Sequence, residues 1–85
     1  MDAWMQNLIS DIERIAGADK VSHYQITVLP QILADFHKML QKEAAGKTVR
    51  EQYRMEDGSM EIELVGMKDA SENVKVTSAR AYAVC

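Results

Sequence analysis

Between Asp2 and Gly17 the apolar residues recur at helical spacing. Trp4, Met5, Leu8, Ile9, Ile12, Ile15 and Ala16 share one broad stripe, and Gln6, Asn7, Ser10, Asp11, Glu13 and Arg14 take the other side. Asp2 stands where an N-cap belongs, and Gly17 follows the last stripe residue, a common C-terminal position. The spacing predicts a first helix over this stretch.

The next segment, ADKVSHYQITVLPQILADFHKMLQKEAAG, carries two patterns. From Leu29 onward Ile32, Leu33, Phe36, Met39 and Leu40 continue a helical stripe, with Gly46 as a stop. Before Pro30 the run HYQITV is β-branched and aromatic, and Tyr24, Ile26 and Val28 alternate as in a strand. Yet Val21, Tyr24, Val28 and Ile32 also fall on one helical face, with Asp19 as a plausible cap. A proline inside a helix costs about 3 kcal/mol, but a strand ending at Val28 leaves the following helix with Leu29 as a poor cap. The chain is therefore expected to form one long helix kinked at Pro30, the alternative being a strand over 21–28 and the order αβαβββ.

After Lys47 the period falls to two. Asp57-Gly58 is a strong hairpin signal, because a type I′ turn needs positive φ at both central residues. Counting outward from it pairs Met55 with Met60, Tyr53 with Ile62 and Glu51 with Leu64 on one face. The other face pairs Arg54 with Glu61 and Gln52 with Glu63. A third strand, VKVTSARAYAVC, sorts less cleanly: either Arg80 lies at the rim of the core face, or a bulge near Ser78 turns the alanines inward. The expected architecture is α+β, two N-terminal helices packed on a three-stranded antiparallel β-meander, in a single domain over 1–85.

Composition narrows the function more than it names it. Ten basic against thirteen acidic residues give a net charge of −3. Direct nucleic-acid binding, which rests on phosphate neutralisation, is not expected. Neither a membrane-spanning run nor a secretory leader stands out. The one cysteine, Cys85, allows no internal disulfide, which suits a reducing, cytoplasmic setting. Small domains without disulfides or metals often gain stability by association, so a homo-oligomer is expected.

Chemistry is sparse. The four glycines are isolated, so no phosphate loop is formed, and one cysteine with two histidines does not make a zinc site. His23 and His37 are too far apart on a helix to share a metal. Glu61 and Glu63 stand two apart on one strand face, expected in solvent opposite Arg54 and Gln52 rather than in a pocket that splits their pKa values. No catalytic residue, cofactor or metal ligand is assigned.

The residues singled out for contact are Tyr82, Val84, Arg80, Glu51, Tyr53, Met55, Met60 and Trp4. Met55 and Met60 flank the turn as adaptable side chains, and Trp4 stands near a terminus as a core cap or an anchor. Glu51, Tyr53, Arg80 and Tyr82 are expected on one sheet face. The third strand is nearly neutral in its second half, which predicts association there with Tyr82 and Val84 as anchors. The chain is thus expected to be a small non-catalytic protein–protein interaction module: a regulator, inhibitor or assembly subunit with a protein partner. One alternative is an acidic inhibitor mimicking nucleic acid, of a kind phages and mobile elements encode, drawing on Glu56, Asp57, Glu61 and Glu63. The other is a small ligand binder or enzyme completed at an oligomer interface.

Overall fold

A computed structural model of the chain describes residues 2–55 and 58–84. Helix α1 spans Ala3–Ala16 and buries Leu8 and Ile12. Asp2 holds the N-cap position with extended backbone, yet its side chain makes no cap bond; its carbonyl accepts the amides of Met5 and Gln6. Gly17 ends the helix by donating to the Glu13 carbonyl at 2.9 Å.

Helix α2 then runs without a break over 18–41. It opens with a 3₁₀ turn, Ala18–Lys20, continues through Val21–His23, widens into a π-helical turn at Tyr24–Val28, and becomes regular α-helix at Leu29–Gln41. The alternative strand over 21–28 is overturned. Pro30 has no amide to donate to Ile26, and its ring would press on that carbonyl. One wider turn just before the proline relieves both problems, and π-bulges are a known solution to such conflicts. The stripe through Tyr24, Ile32, Phe36 and Leu40 is buried as its spacing predicts. The helix stops at Gln41 rather than Gly46, where Lys68 Nζ donates to the Gln41 carbonyl at 2.6 Å.

Three antiparallel strands follow in the order β1-β2-β3: β1 Thr48–Arg54, β2 Met60–Lys68 and β3 Val74–Ala83. The β1–β2 register is the one counted from the sequence, with Arg54 opposite Glu61, Tyr53 opposite Ile62 and Glu51 opposite Leu64. The Met55 amide extends the pairing to the Met60 carbonyl at 3.0 Å. Gly58 has φ +71°, as the turn expects, and donates to the Met55 carbonyl at 2.9 Å. Asp57, the other half of the expected turn, lies outside the described residues.

In β3 the second of the two expected arrangements is the one present. The pairing runs from Val65 opposite Ser78 to Gly66 opposite Val76, so Thr77 is an extra residue. Thr77 Oγ1 donates to the Val65 carbonyl at 3.2 Å. The bulge turns Ala79 and Ala81 into the core, each 1% exposed. Gly66 makes this possible. A Cβ there would lie 2.5 Å from the Lys75 carbonyl oxygen and 3.0 Å from side-chain atoms of Leu40 and Phe36. Only a residue without a side chain lets the bulge and α2 come so close.

The core therefore sits over β2 and β3. Met60, Ile62 and Leu64 are wholly buried, with Ala79 and Ala81 beside them and Leu8, Ile12, Leu29, Phe36 and Leu40 above. In β1 none of the seven residues is fully buried. Its inner face offers only Val49, Glu51 and Tyr53, all half-covered.

Candidate functional site

The two edges of the sheet are finished differently. α1 packs along β3 and places Asp11 against its outer side. One carboxylate oxygen accepts the Ala81 amide at 3.1 Å and Arg80 Nε at 2.7 Å, and the other accepts Arg14 Nη2 at 3.1 Å. Asp11 is only 6% exposed. Burial alone would raise its pKa, but the bonds from Arg80, the Ala81 amide and Arg14 outweigh that and hold it below its ordinary value. The Ala81 amide points away from β2, because Val84 bonds to Ser59 and its parity partners Tyr82 and Arg80 also face β2. Asp11 thus occupies an outward donor that an added strand would need.

Among the described residues the β1 edge has no such seal. Met55 donates inward to Met60, so Tyr53 and Glu51 share that parity and the backbone groups of Arg50, Gln52 and Arg54 point outward. Among the described residues nothing bonds to them. Above the end of the strand lies a groove of about 690 Å³. Its helical wall is the π turn and what flanks it: His23, Tyr24, Thr27, Val28, Gln31 and Ile32. Its floor is Gln52, Tyr53, Arg54 and Met55. Among the described residues no carboxylate lines it, although the chain as a whole is acidic. Ile26, in the same π turn, is 76% exposed, the largest apolar exposure described.

Tyr53 ties strand to helix at the groove's inner wall. Its hydroxyl donates to Asp35 Oδ2 at 2.8 Å and lies 3.8 Å from the Met39 sulfur. Burial, and then the bond to Asp35, push the phenol pKa well above its usual 10. The ring is held neutral.

The bulge divides the cluster expected on one face. Glu51 and Tyr53 lie on the helix-covered side, whereas Arg80 and Tyr82 lie on the open side opposite Glu63 and Glu61. The inserted Thr77 reversed the alternation of the strand, which is why a period-two count from Val74 put Arg80 and Tyr82 on the wrong face. Met60 is also corrected as a contact residue: it is 0% exposed and belongs to the core. Met55 stays half-exposed at the groove. Tyr82 is 50% exposed on the open face, and Val84 is half-buried past the strand end. Trp4 packs against the core and lines a smaller cleft of about 340 Å³ with Leu33, Phe36 and Val76.

The rest of the open face is solvated and internally paired. Arg54 meets Glu61 at 3.1 Å, Gln52 donates to Glu63 at 3.2 Å, and Arg50 lies 3.7 Å from Glu63. Glu61 and Glu63 therefore stand as expected, facing cations and an amide. Glu56, Asp57 and Cys85 lie outside the described residues. Among those described, no group of His, Cys, Asp and Glu gathers as a metal site, and no helix is long and apolar enough to cross a membrane.

Asp11, Asp35 and the π turn were missed from sequence. Asp11 falls three residues after Leu8 and one before Ile12, at the border of the buried stripe, and Arg14 follows at helical spacing. That border position was the available signal. The π turn had one too, a proline after a β-branched run on an otherwise helical face.

The fold and its edges define a small α+β protein with one edge strand sealed by a helix carboxylate and the other beside a groove. No family model matches the chain, and no curated protein or solved structure matches it either.

Proposed function

We propose that the chain is a non-catalytic protein-binding module acting stoichiometrically, as a regulator, inhibitor or assembly subunit, and that it binds through the β1 edge and the adjoining groove. The contrast between the two edges supports this most directly. β3 is covered by α1 and sealed by Asp11, while β1 presents outward backbone groups beside a groove of mixed apolar and polar lining that, among the described residues, holds no carboxylate. An added strand takes its affinity from main-chain bonds and its specificity from a side-chain pocket next to the edge, and both are present here.

The state of the titrating groups accords with binding rather than catalysis. Asp11 is saturated with donors and Tyr53 is held protonated, so neither is poised near neutrality. A nucleic-acid mimic is less favoured, since Glu61 and Glu63 are matched by Arg54, Gln52 and Arg50 rather than left as free charge. The lone cysteine accords with a cytoplasmic setting.

Affinity capture from the source cell, with parent, Met55→Asp and Tyr82→Asp baits, tests the assignment. A partner kept by the parent and Tyr82→Asp but lost by Met55→Asp supports the β1 groove. Loss with Tyr82→Asp alone moves the contact to the open face of β3.

A further inference from the structure

An exposed edge strand is a liability that proteins guard with proline, bulges, cover or inward charge. Of these guards β1 has one inward charge, the half-buried Glu51, but no proline and no bulge in its regular pairing with β2. Arg50 and Arg54 lie on the open face, engaged with Glu63 and Glu61, and so do not block the edge. The helices concentrate over β2 and β3, leaving the β1 side the less covered one.

The charge pattern of β1 selects an occupant. Two copies joined antiparallel about a two-fold axis must place outward residues against outward residues, so the axis passes through a residue of β1. An axis at Gln52 sets Arg50 against Arg54 of the other copy. One at Glu51 sets two glutamates together in the close, non-hydrogen-bonded pair. Like charges directly opposite destabilise a sheet, which also removes an axis at Arg50 or Arg54, and an axis at Val49 joins only the 48–50 end of β1. An axis at Tyr53 sets Arg54 against Gln52, Glu51 against Met55, and Tyr53 against itself. Across the joined sheet the open face would then read Tyr82, Glu61, Arg54, followed by Gln52, Glu63 and Arg80 of the second copy, with opposite charges adjacent and no like pair. The tyrosine pair would fall between the two grooves, which then face each other.

We propose that the occupant of the β1 edge is a second copy of this chain, paired antiparallel about Tyr53 into a continuous six-stranded sheet with the helices on one side. This rests on the reading of β1 as the contact surface and names its partner. It also supplies the association that a small core, to which β1 gives only half-buried side chains, calls for.

Sedimentation equilibrium on the full chain over a wide concentration range tests it. The expected result is a mass approaching twice the monomer's, with exchange of the Arg50, Gln52 and Arg54 amides slowing as concentration rises. Gln52→Pro removes an outward donor without costing a bond to β2, so it should give a folded monomer by circular dichroism. In a Cys85→Ser background, Tyr53→Cys should cross-link to its copy on mild oxidation, and Gln52→Cys should do so less. A parent that stays monomeric, edge amides whose exchange ignores concentration, or a Gln52→Pro variant that still dimerises would overturn the proposal. Should Gln52→Pro fail to fold, the concentration dependence of exchange in the parent decides alone. A monomeric parent that still captures a foreign protein through β1 would sink the dimer and leave the binding module standing.

Discussion

β1 and β3 are both edge strands of one small sheet, each paired on one side to β2, and they solve the same problem in opposite ways. β3 is the longer, carries the bulge, sends two alanines into the core and has an outward amide taken by a helix carboxylate. β1 is regular, buries no residue fully and, among the described residues, leaves its outward backbone groups unmet. The difference shows that edge protection here comes from tertiary cover rather than from the charge written along the strand. By charge alone β1, with Arg50 and Arg54, is the guarded strand and β3 the open one. With α1 in place the order is reversed.

The largest effect is expected at the seal itself. Asp11→Ala removes the shared acceptor of Arg80, Arg14 and Ala81 and strands a buried backbone donor. Bonds to a charged group contribute about 1.5–3 kcal/mol each, and an unsatisfied donor costs a similar amount, so a loss of about 3 kcal/mol is expected in urea denaturation. The Ala81 amide should exchange much faster in the variant. A cost below about 0.5 kcal/mol, the range of ordinary surface changes, would mean α1 holds β3 by apolar packing alone and that Asp11 is incidental.

Gly66→Ala attacks the geometry that made β3 what it is. Its Cβ would meet the Lys75 carbonyl oxygen at 2.5 Å, and backbone cannot step aside as a flexible side chain can. Overpacking of this kind costs about 1–3 kcal/mol. Chemical shifts should change around Thr77 and Ala79 and stay put in β1. Uniform changes across both edges would show that the bulge is not local to β3.

The two sides should also part with pH. Asp11 has a folded pKa below 3.8, so its stabilisation is complete above that value and fades as pH falls through the lowered one. Tyr53 has its pKa raised above 10, so its stabilisation is complete below pH 10 and fades as pH climbs beyond it. The β3 seal is thus lost in acid, and the Tyr53 tie beside β1 in alkali. Tyr53→Phe, which removes a bond to a carboxylate that solvent exposure weakens to about 1 kcal/mol, should flatten the alkaline limb and leave the acid limb intact. A flattened acid limb in that variant would contradict the assignment of the two groups to separate sides.

Much of the fold was legible because local signals agreed. The stripe from Leu8 to Ile12 and that from Ile32 to Leu40 mark faces that are buried, and the Gly58 turn fixes a register in which charged and apolar pairs separate cleanly. What stayed illegible depended on long-range contact. A bulge near Ser78 was one of two arrangements the sequence left open, and the choice between them rests on Gly66 and the closeness of Phe36 and Leu40, side chains distant in sequence. The role of Asp11 likewise appears only when Arg80 and Ala81, some seventy residues on, are brought to it. Of the proposed surface, Tyr53 and Met55 were named from sequence, but the helical wall was not, because no local pattern marks a π turn as one side of a groove.

The smallest expected effect concerns that wall. Pro30→Ala restores a donor that can bond to Ile26 and removes the ring that disfavours the α conformation at Leu29. If the π turn exists only to accommodate the proline, the helix should relax toward regular α geometry, and stability should hold or rise by up to about 1 kcal/mol, the scale of backbone effects at a compatible site. Relaxation must also rotate residues 24–28 relative to the rest of α2, since a π turn carries one residue more than an α turn. Tyr24 and Val28 would then leave the positions that line the groove, while Asp11, Arg80 and the β3 edge should not respond. Backbone chemical shifts over 21–32 and the exchange of the Ala81 amide read the two sides separately. A stabilised variant with altered shifts around Tyr24 and an unchanged Ala81 amide is the expected result. A marked loss of stability would instead mean that the π turn is held by its packing on β1, and that the groove wall is a built part of the core.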